Sequence, residues 1–194
     1  MEQTNEVTQF LAELIRVSSR LNLAACTGIE PQIKEFKVQK LTSGYHKAKA
    51  LLRSEVMDLT INIYFQLEEA RFLAAKGIRS GNDEVSDETA RDFVKELCNI
   101  SLGSVKEHFV EHQSEEVSAF ESMAPEDSSI TSDVDFEEEK KSGQIHDYFT
   151  LKFKKGELVV STIVKINDPE KAEGIEVVDP LSLNVNAEGY VDFL

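Results

Sequence analysis

The stretch MDLTINIYFQL, Met57 to Leu67, alternates apolar and polar side chains along its whole length. Met57, Leu59, Ile61, Ile63, Phe65 and Leu67 fall on one side, and Asp58, Thr60, Asn62, Tyr64 and Gln66 on the other. Side chains of a strand point to opposite faces in turn, so this pattern predicts an antiparallel strand with one face buried and one wet. Just before it, Ala48, Ala50 and Leu52 alternate in KAKALLRSE and predict a neighbouring strand. EFKVQKL alternates more weakly, with Phe36 and Val38 on one face of a short strand.

Helical spacing takes over on either side. Val7, Phe10, Leu11, Leu14, Ile15, Val17 and Leu21 recur at three and four residues and predict a helix over 5–22. Gly28 and Pro31 in CTGIEPQ end it. EEARFLAAKGI reads as a short helix ending near Gly77, followed by the loop RSGNDEV. Further on, Ile145, Phe149, Leu151 and Phe153 share a face, KKGE is a hairpin turn and LVVSTIVKI is the returning strand. The order is an α+β domain, with helices packed on one face of a largely antiparallel sheet.

The totals narrow the function. The chain has 194 residues, a hydrophobic fraction of 41% and a formal net charge of −15. Such an acidic chain is repelled by nucleic acid and by anionic membrane surfaces, so neither is expected as a partner. MEQTNEVTQF lacks the basic start of a secretory leader, and Cys26 and Cys98 are too few for a disulfide scaffold. A cytoplasmic protein with reduced thiols is expected. No phosphate-binding glycine loop and no G-x-S-x-G elbow is present.

The longest predicted helix opens at Ser86, a good N-cap, with Asp87 and Glu88 in its first turn, and runs to about His112. At about 100° per residue, Ala90, Val94, Leu97, Cys98, Leu102, Val105 and Phe109 share one side. Asp92, Glu96, Asn99 and Gly103 share the opposite side, at steps of four, three and four. Asn and Gly are poor helix formers, so a plain solvated face would not choose them. Cys98 lies on the apolar side and reads as a buried thiol. His108-Phe-Val-Glu-His112 matches the zinc-protease pattern H-x-x-E-H, but histidine is favoured at a helix C-terminus by the dipole alone, and no metal site is expected.

The string Asp92-Phe-Val-Lys-Glu96-Leu-Cys-Asn99 resembles the [D/S]-x-x-x-E-x-x-N signature of the CheC/CheX/FliY chemotaxis phosphatases. LTINIYFQLEEARFLAAKGIRSG resembles the strand, short helix and loop that precede it in that family. One copy of the signature is present, as in the CheX type. The resemblance implies a CheC/CheX-like domain that dephosphorylates the aspartyl phosphate of a CheY-like receiver in chemotaxis or two-component signalling. It implies that Asn99 orients the attacking water and that Glu96 engages the receiver's active-site Lys, with Asp92 and Gly103 in the docking surface. Mg²⁺ is then expected on the receiver, and no cofactor on this chain. The resemblance leaves a homodimer open. A non-catalytic adaptor of the same fold is the alternative function.

Residues 113–142 carry ten acids and two lysines. Few large apolar residues accompany them, and the composition predicts an acidic, mobile loop inserted in a domain spanning 1–167. Residues 168–194 have no clear period and read as a tail ending in EGYVDFL.

Overall fold

The computed structural model of the chain describes residues 2–36, 40–41, 44–78, 85–130, 133–136 and 145–182. EGYVDFL lies outside the described residues. The first element is a long helix, α1 (Glu2–Thr27). It stops where Gly28 takes a left-handed φ of 69°, with its N–H donating to the Ala24 carbonyl at 2.8 Å.

A six-stranded sheet follows from β1 (Gln32–Glu35), β3 (His46–Arg53), β4 (Met57–Phe65), β5 (Glu121–Ile130), β7 (Ile145–Phe153) and β8 (Gly156–Ile166). Its order is β1-β7-β8-β4-β3-β5, and every pairing is antiparallel. Two short strands, β2 (Lys40–Leu41) and β6 (Val134–Asp135), pair with each other. Between β4 and β5 the chain forms α2 (Leu67–Gly77), α3 (Asp87–His112) and α4 (Glu115–Ser118). A last turn of helix, α5 (Pro169–Ala172), and a 3-10 turn (Pro180–Ser182) follow β8.

α1, α2 and α3 cover one face of the sheet. Ala48, Ala50 and Leu52 of β3, Leu59, Ile61 and Ile63 of β4, and Phe149 and Leu151 of β7 join Leu11, Leu14, Val94 and Leu97 in one core. At half-buried cost, α1 is tied to the sheet by Arg16, whose Nε and Nη2 donate to the two carboxylate oxygens of Asp147 at 2.6 and 2.5 Å.

Three expectations are corrected. The strand predicted around EFKVQKL sits earlier and in two pieces, β1 and β2, and Val38 lies outside the described residues. The helix period replaces alternation at Leu67, because Glu69 turns back to accept a hydrogen bond from the Gln66 N–H at 3.1 Å and starts α2. Finally, the second face of β4 is not wet throughout. Asn62 and Tyr64 are buried, and Tyr64 packs with Leu41, Phe136 and Val159 in a second cluster on the far side of the sheet.

That second cluster also corrects the acidic loop. Residues 121–130 form the edge strand β5, and Phe136 is buried. The partner strand explains why so acidic a segment pairs. β3 carries Lys47, Lys49 and Arg53, and the register sets Arg53 opposite Glu121. Opposite charges across a ladder favour pairing. Pro125 falls where the register shifts between Lys49 and Leu51, which is where an edge strand tolerates a missing N–H. The segment after β8 is not free either: Ala172 and Ile175 are buried in the main core.

Candidate functional site

α3 begins as its sequence predicts, with the Ser86 hydroxyl accepting from the Thr89 N–H at 3.1 Å. All seven residues of the predicted apolar side are buried, joined by Ser101, Ser104 and His108. The small hydroxyl residues face α1. Ser18 donates to the Ser101 carbonyl at 2.6 Å, and the Asn22 amide donates to Ser104 Oγ at 3.0 Å. This hydrogen-bonded seam sets the rotation of α3, and so fixes which residues point away from the core.

Those are Asp92, Glu96, Asn99 and Gly103. Asp92 is exposed and the other three are half-buried. Asp92 accepts from Lys95 Nζ at 3.1 Å. Lys95 is an addition to the stripe, and its signal is the spacing: an acid and a lysine three apart on a helix form such a pair. Among the described residues, Glu96 forms no ion pair and the Asn99 carboxamide has no hydrogen-bond partner. A Cβ placed on Gly103 would meet nothing within 4 Å, so the fold itself does not require glycine there.

The C-terminal end of α1 and the end of α2 flank the first half of this stripe. Cys26 is half-buried, and its thiol is pushed up to about 12 by burial, with the Glu96 carboxylate adding to the effect. It is therefore a neutral thiol at neutral pH and no nucleophile. A Cβ on Gly77 would stand 2.7 Å from the Phe93 ring and 3.5 Å from the Cys26 carbonyl. Glycine at the end of α2 lets Phe93 and α1 close in beside Glu96. No local pattern predicts this meeting, because the three residues belong to three separate helices.

Other candidates resolve into packing. Cys98 is wholly buried, and burial raises its thiol pKa. His108 is 2% exposed and packs on Phe10, with ring centroids 6.1 Å apart, while the His112 ring lies 4.6 Å away. Burial lowers the His108 pKa and the neighbouring His112 lowers it further. Among the described residues no group of three His, Cys, Asp or Glu side chains is placed to hold a metal. Nor, among them, is any helix long and apolar enough to cross a membrane.

No protein-family model matches the chain, and no curated protein sequence does. Solved structures match its backbone. A CheC-like superfamily protein from Shewanella sp. PV-4 superposes with a TM-score of 0.62 at 14% identity, over 80% of this chain and 97% of that one. The fold is that of the CheC/CheX chemotaxis proteins. Chemotaxis protein CheX from Vibrio vulnificus gives a TM-score of 0.59 at 14% identity, over 81% of this chain and 99% of that one. CheX from Borrelia burgdorferi, solved in a complex with CheY, BeF₃ and Mg²⁺, gives 0.56 at 16% identity, over 79% of this chain and 96% of that one. The CheX-like fold thus accounts for the helix layer and the antiparallel sheet described above.

Proposed function

We propose that the chain is a CheX-type member of the CheC/CheX/FliY family, a hydrolase that removes the phosphoryl group from the aspartyl phosphate of a CheY-like receiver domain. One observation carries this reading. Glu96 and Asn99 stand one turn apart at the centre of the outward face of α3, half-buried, with their polar groups unused by the described residues.

The chemistry fits those two groups. Hydrolysis of an acyl phosphate is an in-line displacement by water, and catalysis is positioning plus electrostatics. A carboxamide offers a donor and an acceptor on one planar group and does not titrate. Asn99 can therefore accept from the attacking water and keep its oxygen in line at any physiological pH. Glu96 supplies a carboxylate for the receiver's active-site lysine, drawing that cation into a fixed pairing as Asn99 enters. The Mg²⁺ of the reaction sits on the receiver and neutralises phosphoryl charge there. The receiver as partner places the protein in cytoplasmic two-component or chemotaxis signalling.

The test measures decay of a phosphorylated CheY-like receiver with wild-type and variant protein. Asn99→Ala is expected to lower turnover about 10²–10³-fold, the cost of removing one positioned polar group, while binding persists. Glu96→Ala is expected to weaken both. Equal decay rates with wild type and Asn99→Ala exclude the catalytic role. A wild type that binds the receiver without speeding its decay identifies a non-catalytic adaptor instead.

A further inference from the structure

The outward stripe of α3 continues past Gly103. Val110 stands about five helical turns after Asp92, so it lies in line with it on the same face. It is 61% exposed, an apolar side chain on a face that is otherwise polar. Glu107 and Glu111 beside it are also exposed.

A second exposed valine is held at that end of the helix. Gln113, the residue that ends α3, grips the backbone of Glu176 at both its groups. Its Nε2 donates to the Glu176 carbonyl and its Oε1 accepts from the Glu176 N–H, each at 2.8 Å. Ile175 is buried on one side of this clamp, and Val177 on the other is 55% exposed. The segment after β8 is thus fixed so that Val177 is presented beside the end of α3.

We propose that Val110 and Val177 are a second, apolar contact for the receiver domain, with Gln113 as the residue that positions Val177. This rests on the phosphatase reading above. The occupant follows from continuity and charge. Asn99 and Val110 are about 16 Å apart along one straight helix face. A domain of about 100 residues has a radius of gyration of about 13 Å, so one receiver covers both points. Two polar side chains bury far less than the roughly 800 Å² per partner of a specific interface, and apolar anchors supply the rest. Exposed Glu107 and Glu111 call for a receiver surface that is apolar at its centre and basic at its rim.

The experiment uses the full chain and the CheY-like receivers of its own organism, each phosphorylated for turnover and activated with BeF₃ and Mg²⁺ for binding. With the receiver that the wild type dephosphorylates, Val110→Asp and Val177→Asp are expected to raise KM and the dissociation constant about tenfold. Their kcat stays within about twofold, because both sites are on the surface and remote from the chemistry. Gln113→Ala is expected to raise KM less and leave kcat unchanged. Unchanged KM in both valine variants, with Asn99→Ala inactive, overturns the second contact and leaves the phosphatase reading intact. Unchanged turnover in Asn99→Ala, or no receiver bound by the wild type, overturns the reading on which it rests.

Discussion

Asp92 holds Lys95 at 3.1 Å on the same helix face where, among the described residues, Glu96 forms no ion pair and the Asn99 carboxamide has no hydrogen-bond partner. The exposed end of the stripe is thus neutralised locally, while the polar groups at its centre are unused by the described residues. An exposed i,i+3 pair contributes about 0.3–0.5 kcal/mol. Asp92→Ala should therefore shift the thermal midpoint very little. If Asp92 shapes docking polarity, the affinity for an activated receiver falls several-fold at low salt and the difference shrinks as salt is added. Calorimetry and a binding titration at two ionic strengths check both halves, and an affinity equal to wild type at low salt removes Asp92 from the docking surface.

Gly103 separates stability from function. Glycine inside a helix costs about 0.5–1 kcal/mol relative to alanine, and here a Cβ would meet nothing within 4 Å. Gly103→Ala should stabilise the isolated protein by about that amount in a denaturant melt. The same methyl should lower affinity for the receiver if the glycine is there for close approach. A variant that is more stable and binds equally well would show that Gly103 has no role in docking.

Acid sensitivity should track His108. Burial, and then His112, lower its pKa below the ordinary 6.5. The unfolded chain then takes up a proton that the folded chain refuses. Stability is therefore complete above pH 6.5 and falls as the pH drops from there toward the folded-state value. Burial likewise lowers His46, so it adds a slope of the same sign. His108→Leu should flatten the fall in urea midpoint between about pH 7 and pH 5 without abolishing it. Parallel curves for the variant and wild type would assign the whole slope elsewhere.

The second cluster makes the acidic segment structural. Phe136 meets Tyr64 edge-on at 5.7 Å and Phe36 at 5.4 Å, and is 2% exposed. Phe136→Ala should cost about 3–5 kcal/mol, as for a buried aromatic. A loss below about 1 kcal/mol in chemical denaturation would mean that the segment contributes little to the fold.

What the sequence disclosed follows from the range of each signal. The α3 stripe is local, since helical period alone sets Asp92, Glu96, Asn99 and Gly103 on one side, and the burial of the opposite side matches it residue by residue. The alternation of β3 and the first half of β4 is equally local. The burial of Asn62 and Tyr64 leaves no local trace, because what covers their face comes from residues near 40 and 135, far away in sequence. The acidic charge of β5 hides a strand whose basic complement lies in β3, far away in sequence, where Lys47, Lys49 and Arg53 carry the opposite charge. Cys26 beside Glu96, and Gln113 on Glu176, are contacts between distant segments with no periodic trace.

The Arg16–Asp147 pair joins residues 131 positions apart, and among the described residues β1 pairs with β7 alone. During synthesis α1 and β1 emerge long before the strand that completes their layer. α1 can pack on α2 and α3 before then, but loop closure over most of the chain precedes the pairing of β1 with β7 and the Arg16–Asp147 contact. Assembly of this domain is therefore expected to be late and concerted, with the hairpin of β7 and β8 as the event that releases it. A truncation before Ile145 would remove β7 and β8, leaving β4 with an open edge and the sheet side of α1 uncovered, a species prone to aggregate rather than a smaller working domain.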